Sequence, residues 1–463
     1  MSVPGSVVPG RHPAMPVSTP GKLRPNPPTF CKEKNTHTAR KSQGIFDSAT
    51  HWLLHNQIYI PLNLIALLFC THSFLPQAQP YTSKLFTISH YNQRTGEYGV
   101  GNDDFLFLAF CVVLFTFLRA SCMEYVLQPV ARYCGASTKK DVIRFSEQAW
   151  LLCYYSVFWV LGVYIYVTSD YFLNPKEMFT NWPTRELPGL VKFYILSQWA
   201  FWIQQLLVIN IEERRKDHWQ MLTHHILTIG LLYTSYTLHL TRVANLVLIL
   251  MDVVDIFFPL AKCFKYLGLS TLRDIMFGVF MVSWFLARHV WYITNMYHIW
   301  VYMPDNVKIG CYHTSEDKLV TGPTPLPEEG WSHMFEAFTN PSGTICYNDS
   351  IQWGFLASLG LLQVITIIWF FMIIKVAIRV VQGNGADDIR SDDEDEDVEE
   401  EVEEKGREQK ARKVLEGGVD TDSKALKRIP EVEGAAFSTG AGRSGRWERK
   451  GLLGRVGCER HVD

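Results

Sequence analysis

The sequence predicts an all-α protein, a polytopic membrane helical bundle of about eight transmembrane helices with disordered tails. Hydrophobic residues make up 48% and aromatic residues 13% of the 463 residues, and they are concentrated in blocks of the length that a bilayer requires. Charged residues cluster between these blocks and in the tails. One membrane domain therefore explains the composition better than the two or three soluble domains that the length alone would allow.

Eight apolar runs approach or exceed the ~20 residues that a helix needs to cross a bilayer. The first run is short and contains Pro61 and Asn63, so seven spans is the alternative count. The runs cover residues 57–75, 105–127, 147–168, 191–210, 219–238, 241–261, 275–302 and 353–381.

Basic residues in the connecting segments fall on one side of the membrane when eight spans alternate in direction. The opposite loops, 76–104 and 303–351, are mixed or acidic. Because positively charged loops stay in the cytosol, this asymmetry predicts that both termini are cytosolic. The basic residues assigned to the cytosolic side are Arg40, Lys41, Arg132, Lys139, Lys140, Arg144, Arg214, Arg215, Lys216, Lys262, Lys265, Arg273 and Arg379.

Composition divides the chain into four predicted segments. These are a disordered cytosolic tail over 1–42, two transmembrane helices within 43–138, a domain of six transmembrane helices over 139–382, and an acidic, then mixed-charge, disordered tail over 383–463. The first segment lacks the apolar core of a signal peptide, so we expect no cleaved leader. Residues 387–404 contain thirteen acidic residues and one arginine, and Ser391 within them precedes three acids, the pattern that acidophilic kinases phosphorylate.

The loop 303–351 contains two polar-loop cysteines and a glycosylation sequon. If the loop is lumenal, Cys311 and Cys346 are candidates for a disulfide. Asn348 begins the Asn-Asp-Ser sequon, but it lies only a few residues from the last apolar run, which favours an unused site over a glycosylated one.

Four ionisable residues interrupt two neighbouring apolar runs. His224 and His225 lie in one run, and Asp252 and Asp255 lie in the next. If the chain reverses near residues 239–240, His224 and Asp255 are each fifteen or sixteen residues from the turn, so a helical hairpin brings them to the same depth. The aspartates share one helix face, whereas adjacent histidines diverge by about 100°, so we expect one histidine to face the carboxylates directly. Ionisable groups at membrane depth indicate a functional site.

Three chemistries fit a histidine and aspartate cluster. A carboxylate that fixes the imidazole tautomer would let the other nitrogen act as a general base. That nitrogen could instead attack an acyl group and form an acyl-imidazole. A metal site would need more ligands at this depth, because His218, His239, His289 and His298 are scattered along the chain, so we expect no bound metal.

Other polar and aromatic residues in the runs give weaker signals. Arg288 and His289 are predicted to lie deeper than the cluster and to line a cavity or neutralise an aspartate. Most tryptophans near the ends of the runs are interpreted as interface anchors, namely Trp182, Trp199, Trp202, Trp219, Trp291 and Trp300.

The segments around the cluster resemble a known family. Residues 215–219 (RKDHW), 224–225 (HH) and 251–255 (MDVVD) look like the Lag motif of ceramide synthases, within the TLC domain. Residues 140–150 (KDVIRFSEQAW) resemble the opening of that domain, and 387–394 (DDIRSDDE) resembles an acidic motif that follows its last span. The resemblance covers about 45–395 and is nearer to fungal members than to animal ones.

The resemblance implies a function, its substrates and its location. It implies N-acylation of a sphingoid base, dihydrosphingosine or phytosphingosine, by acyl-CoA in the endoplasmic reticulum membrane. In this picture the catalytic residues are His224, His225, Asp252 and Asp255. Substrate is bound by the basic edge, Arg214, Arg215 and Lys216, and by His218, Trp219, Arg288 and His289. No bound cofactor and no nucleic acid is implied; a small single-span accessory subunit, and a paralogous or identical synthase subunit, are candidate partners. The alternatives are a non-enzymatic TLC-domain lipid sensor or translocon-associated protein, and a proton-coupled transporter.

Overall fold

The fold is given by a computed structural model that describes residues 52, 56–136, 138–211, 217–314, 320–327, 330 and 332–382. Helices dominate this part of the chain, so the all-α prediction is confirmed. They are α1 (Tyr59–Phe74), α2 (Gln79–Phe86), α3 (Asp104–Cys122), α4 (Gln128–Tyr133), α5 (Lys139–Val167), α6 (Gly189–Ile211), α7 (His218–Thr237), α8 (Thr241–Tyr266), α9 (Ser270–Phe285), α10 (Tyr292–Asn306), α11 (Ser332–Thr339) and α12 (Asp349–Val381).

Two π-helical turns join four of these helices into longer rods. Met123–Leu127 connects α3 to α4, and Leu286–Trp291 connects α9 to α10. Such turns insert one extra residue into the hydrogen-bond ladder, and they are common at functional sites. The second turn contains Arg288 and His289.

Two small antiparallel sheets lie outside the helices, and the sequence did not predict either of them. One pairs β1 (Tyr98–Gly99) with β2 (Glu186–Leu187). The other has the order β4-β3-β5, built from β3 (Gly310–Thr314), β4 (Val320–Thr324) and β5 (Ile345–Tyr347). Strands of two to five residues carry too little alternation to be read from sequence.

Each of the eight predicted apolar runs contains a helix, but eight membrane spans are not confirmed. Five helical rods in the described residues are long and apolar enough to cross a bilayer, and the pair α1–α2, bent by 111°, makes a sixth if it is one span. The five are 104–133, 139–167, 241–266, 270–306 and 349–379. Helices α6 and α7 do not pass, because glutamines and a lysine dilute α6 and histidines and threonines dilute α7. The protein is thus a multi-pass membrane protein.

The bundle packs around α8. Helix α8 contacts α5 on one side and α9 on another, while α6 packs against α3 and α7. An aromatic core holds α3, α5 and α6 together, in which Tyr154 stacks on Phe201 and meets Phe115 edge-on. Helices α7 and α8 are joined by a turn at residues 238–240, which includes the predicted reversal near residues 239–240. We call this end of the bundle the turn end and the opposite one the mouth end.

A fully buried ion pair stabilises the turn end. Lys192 Nζ lies 2.6 Å from Asp104 Oδ1, and neither side chain is more than 1% exposed. Lys192 also donates to the carbonyls of Ser89 and Gly99, while the other carboxylate oxygen accepts from the Tyr236 hydroxyl. This network ties the loop before α3 to α6 and α7. A buried pair with all its hydrogen bonds satisfied is tolerated, whereas one that loses a partner is strongly destabilising.

A second set of contacts holds the cap, by which we mean the described residues between 310 and 347, on the turn end. Cys311 and Cys346, paired across β3 and β5, form a disulfide. Trp182 donates to the carbonyl of Leu238 at 2.9 Å, and its ring packs against Tyr312 of the cap. Arg185 donates to the Tyr312 carbonyl at 3.1 Å. The loop between α5 and α6 therefore connects the cap to the bundle, because Trp182 contacts both the cap and the α7–α8 turn and Arg185 contacts the cap.

We expect Lys192→Met to destabilise the protein by about 3–5 kcal/mol, because it leaves the Asp104 carboxylate buried without its cation. Lys84→Met is the matched control, since the Lys84–Asp103 pair is 43% and 32% exposed and such pairs contribute about 0–1 kcal/mol. Apparent melting temperatures in detergent measure the difference. Equal melting temperatures for the two variants would show that the buried pair does not hold the turn end.

His239 makes the turn end sensitive to acid. Its Nδ1–H donates to the Thr184 carbonyl at 2.9 Å, and burial, reinforced by Arg185, lowers the pKa of this imidazole from 6.5 to about 4. Between these two values the unfolded chain binds more protons than the folded one, so stability falls as the pH drops below 6.5. His239→Gln keeps a donor but does not titrate. We expect its melting temperature to fall less than that of the wild type between pH 7 and pH 5; parallel curves would contradict the burial of a neutral His239.

Candidate active site

A buried cavity opens at the mouth end of the bundle between α3, α5, α6, α7, α8, α9 and α12. Charged and polar residues line its outer part, including Arg119, Asp217 and Lys262. Aromatic rings line its inner part, including Tyr155, Trp202 and Trp369. The cavity is therefore polar where it opens and apolar where it enters the bundle, the arrangement that suits an amphipathic ligand.

His224 and His225 both line this cavity. Their rings are 5.6 Å apart and nearly perpendicular, and each meets the ring of Trp202, at 5.4 and 5.2 Å. The Nδ1 of His225 lies 2.7 Å from the carbonyl of Met221, four residues earlier in α7. Since a carbonyl only accepts, this nitrogen carries the proton, and Nε2 is the ring nitrogen left with a lone pair for the cavity.

Asp255 also lines the cavity, paired with Arg288. Arg288 Nη2 lies 2.8 Å from Asp255 Oδ1 and donates to the Met251 carbonyl at 2.9 Å. The guanidinium also stacks 4.1 Å above the ring of Trp284. The guanidinium of Arg288 thus reaches the cluster and neutralises Asp255, one of the two roles expected for this residue.

Asp252 occupies a different environment from Asp255. It is fully buried and is not among the cavity-lining residues. Gln198 of α6 donates to its Oδ2 at 2.6 Å, and the same glutamine accepts from the Tyr154 hydroxyl at 3.0 Å. Residues three apart on a helix differ by about 60° in direction, which is enough to turn Asp252 towards α6 while Asp255 faces the cavity.

The predicted carboxylate–imidazole contact is not present. Within the described residues neither His224 nor His225 hydrogen-bonds to a carboxylate. The backbone of α7 orients His225 instead, while Arg288 and Gln198 hold the two aspartates. No group of three or more His, Cys, Asp or Glu side chains in the described part of the chain is arranged to hold a metal ion.

The structure separates the other predicted substrate-binding residues. His218 lines the cavity, whereas Trp219 is 69% exposed and does not. His289 also lies outside the lining, because its Nδ1 accepts from Gln363 of α12 at 2.7 Å. Arg214, Arg215, Lys216 and the candidate phosphorylation site Ser391 lie outside the described residues.

Asn348, the candidate glycosylation residue, has a structural partner. Its Oδ1 accepts the backbone N–H of Ile351 in the first turn of α12 at 3.0 Å, and its Nδ2 lies 3.4 Å from Met334 Sδ. An asparagine in this position caps the helix. Glycosylation at Asn348 therefore stays a prediction that competes with a cap.

Sequence reasoning missed several lining residues. Trp202 was interpreted as an interface anchor, yet it is 4% exposed and separates the two imidazoles from the aromatic core. Trp150, Trp284, Trp369 and Tyr155 also line the cavity without having been singled out. Apolar and aromatic residues occur throughout a membrane helix, so only the packing of the bundle distinguishes cavity-facing rings from lipid-facing ones.

Comparison with known proteins gives one family. The model of the TLC domain matches residues 144–375, about half of the chain. The chain is 45% identical to Ceramide Synthase FUM18 of Gibberella moniliformis over 329 residues, 71% of this chain and 77% of the relative. It is 42% identical to Sphingosine N-acyltransferase-like protein ALT7 of Alternaria alternata, over 74% of this chain and 77% of the relative. It is 38% identical to Sphingosine N-acyltransferase lag1 of Schizosaccharomyces pombe, over 74% of this chain and 80% of the relative.

The family model spans α6 to α9 and most of α5 and α12, which supply most of the cavity lining. The chain belongs to the TLC-domain family, among the ceramide synthases, or sphingosine N-acyltransferases.

Proposed function

We propose that the protein transfers a fatty acyl group from acyl-CoA to the amine of a sphingoid base, dihydrosphingosine or phytosphingosine, and so forms ceramide. One observation carries the proposal: two neighbouring imidazoles line a buried cavity that is charged at its mouth and aromatic inside. Both substrates have a polar head and a long apolar chain, which such a cavity accommodates. The curated relatives named ceramide synthase support the same reaction.

Each substrate group has a matching part of the cavity. The CoA phosphates are anionic, and Arg119 and Lys262 line the mouth; we expect Arg214, Arg215 and Lys216 to add to this charge. The acyl chain enters the aromatic interior, which places the thioester beside the imidazoles. Desolvation there strengthens any hydrogen bond to the reacting groups.

His225 is the proposed general base, because the Met221 carbonyl fixes its tautomer and leaves Nε2 to accept a proton from the amine. His224, 5.6 Å away, is the proposed partner in positioning the thioester. A second route, in which one imidazole first takes the acyl group and then gives it to the amine, fits the same geometry. In either route Arg288 and Asp255 hold charge beside the reacting atoms without being consumed.

The location and partners follow from this proposal. We propose that the protein resides in the endoplasmic reticulum membrane with both termini cytosolic, so that the mouth end faces cytosolic acyl-CoA. The segments 1–42, 43–138, 139–382 and 383–463 remain the proposed division of the chain. Phosphorylation of Ser391, a small single-span accessory subunit and a second synthase subunit are further proposals.

The function is tested with purified protein, acyl-CoAs of graded chain length and each sphingoid base, with ceramide measured by mass spectrometry. We expect ceramide to form only when both substrates are present. Binding of both substrates without turnover would instead support a non-enzymatic lipid sensor. A single-turnover quench with labelled acyl-CoA and no base separates the two routes, since only the acyl-histidine route accumulates acyl-protein.

His224→Ala and His225→Ala should each lower kcat by about 100-fold or more, because a positioned base contributes roughly 10²–10⁴-fold. The control is His298→Ala, a histidine of α10 that packs against Tyr302 away from the cavity. Membrane insertion should be equal in all three variants. Ceramide formation at the wild-type rate by both cavity variants would remove the histidines from the mechanism.

The two aspartates should respond differently to asparagine substitution. Asp255→Asn leaves Arg288 buried without its counter-charge, and we expect about 100-fold or greater loss of kcat together with a lower melting temperature. Asp252→Asn can still accept from Gln198, so we expect at least roughly a tenth of wild-type activity, since a retained hydrogen bond costs little. Equal losses in both variants would mean that Asp252 acts as an anion.

A further inference from the structure

Tyr155 of α5 is a buried tyrosine without a hydrogen bond. Eight tyrosines in the described residues are buried. Seven of them use their hydroxyl in a hydrogen bond with the protein, namely Tyr154, Tyr171, Tyr194, Tyr236, Tyr292, Tyr312 and Tyr347. Tyr155 is 7% exposed and forms none within the described chain. A tyrosine whose ring is packed in the bundle but whose hydroxyl has no partner in the protein is available to donate to a ligand.

The Tyr155 hydroxyl belongs to the reaction cavity. The residue is in the cavity lining, and its oxygen is not among the polar atoms closed off inside the packing. The ring of Tyr155 meets that of Phe201 edge-on at 5.8 Å. Trp202, which follows Phe201 in α6, contacts the imidazoles of His224 and His225. Asp255, Asp252 and Arg288 are the charged neighbours of Tyr155. Tyr155 therefore belongs to the wall formed by α5 and α6, in the same cavity as the groups proposed to carry the reaction.

The reaction proposed above needs a donor of this kind. When a nucleophile adds to the thioester carbon, the carbonyl oxygen becomes an oxyanion, and enzymes stabilise it with preorganised donors. Arg288 already donates to Asp255 and to the Met251 carbonyl. Gln148, also in the lining, lies seven residues from Tyr155 towards the mouth, which is about 10 Å along the helix.

We propose that Tyr155 is a further catalytic residue whose hydroxyl donates a hydrogen bond to the thioester carbonyl oxygen of acyl-CoA as it becomes an oxyanion. This inference rests on the proposed acyl transfer. The new bond joins the amine nitrogen to the carbonyl carbon and the carbon–sulfur bond breaks; the amine proton passes to the imidazole and then to the CoA thiolate. Tyr155 keeps its own proton throughout. In the acyl-histidine route the same oxygen becomes negative in both steps, so the role is unchanged.

Tyr155→Phe removes the hydroxyl and keeps the ring. We expect kcat to fall by about 100- to 1000-fold, as for the loss of one oxyanion donor, while KM for both substrates changes less than about threefold, because the bond forms in the transition state. Tyr164→Phe is the matched control: this residue lies on the same helix and is 57% exposed. The control should keep the wild-type kcat.

Folding and binding are measured on the same samples. An S-alkyl-CoA thioether, which has no carbonyl oxygen, should bind Tyr155→Phe and wild type equally, and their melting temperatures should agree. A wild-type kcat in Tyr155→Phe overturns the inference, and so does a loss confined to KM for the sphingoid base, which would make Tyr155 a contact for a substrate hydroxyl. A wild-type protein that makes no ceramide removes the proposed function itself, a result distinct from either of these.

Discussion

The pairing of Asp255 with Arg288 is the interaction on which the site depends. A charge inside a membrane bundle is expensive unless another group compensates it. Here the carboxylate comes from α8 and the guanidinium from the π-helical turn between α9 and α10, joined at 2.8 Å. The pair fixes one wall of the cavity and lets a charged group remain beside the imidazoles. Trp284, stacked under the guanidinium at 4.1 Å, adds a cation–π contact to the pair.

The backbone of its own helix, and not a carboxylate, orients His225. On a helix, the carbonyl four residues earlier is always within reach of a suitably rotated side chain, and His225 uses that of Met221. The aspartates are then free to organise other elements, Arg288 in one case and Gln198 in the other. His225, Asp255 and Asp252 thus have three separate polar partners, and they do not form a single relay.

Sequence reasoning found the depth of the site but not its contacts. Counting residues from the α7–α8 turn correctly places His224 and Asp255 beside the same cavity, because the positions of residues in both helices can be measured from that one turn. The same count cannot be applied to Arg288, because this residue belongs to a rod that begins elsewhere and contains a π-helical turn. Spacing alone put Asp252 and Asp255 on one face, and a difference of about 60° was sufficient to give them different neighbours. The cap strands and the cavity-facing tryptophans depend on packing between distant segments, for which no local pattern exists.

The two ends of the bundle have opposite physical character, and this determines how a lipid substrate can approach. At the turn end, the Lys192–Asp104 pair, the disulfide-linked cap and Trp182 close the bundle. At the mouth end the cavity opens among charged side chains such as Arg119, Asp217 and Lys262. The proposed binding mode, with an anionic head group at the mouth and its apolar chain extending inward, fits this arrangement. In that mode the reacting bond, at the junction of the polar and apolar parts, would lie beside His224, His225 and Tyr155, which line the cavity.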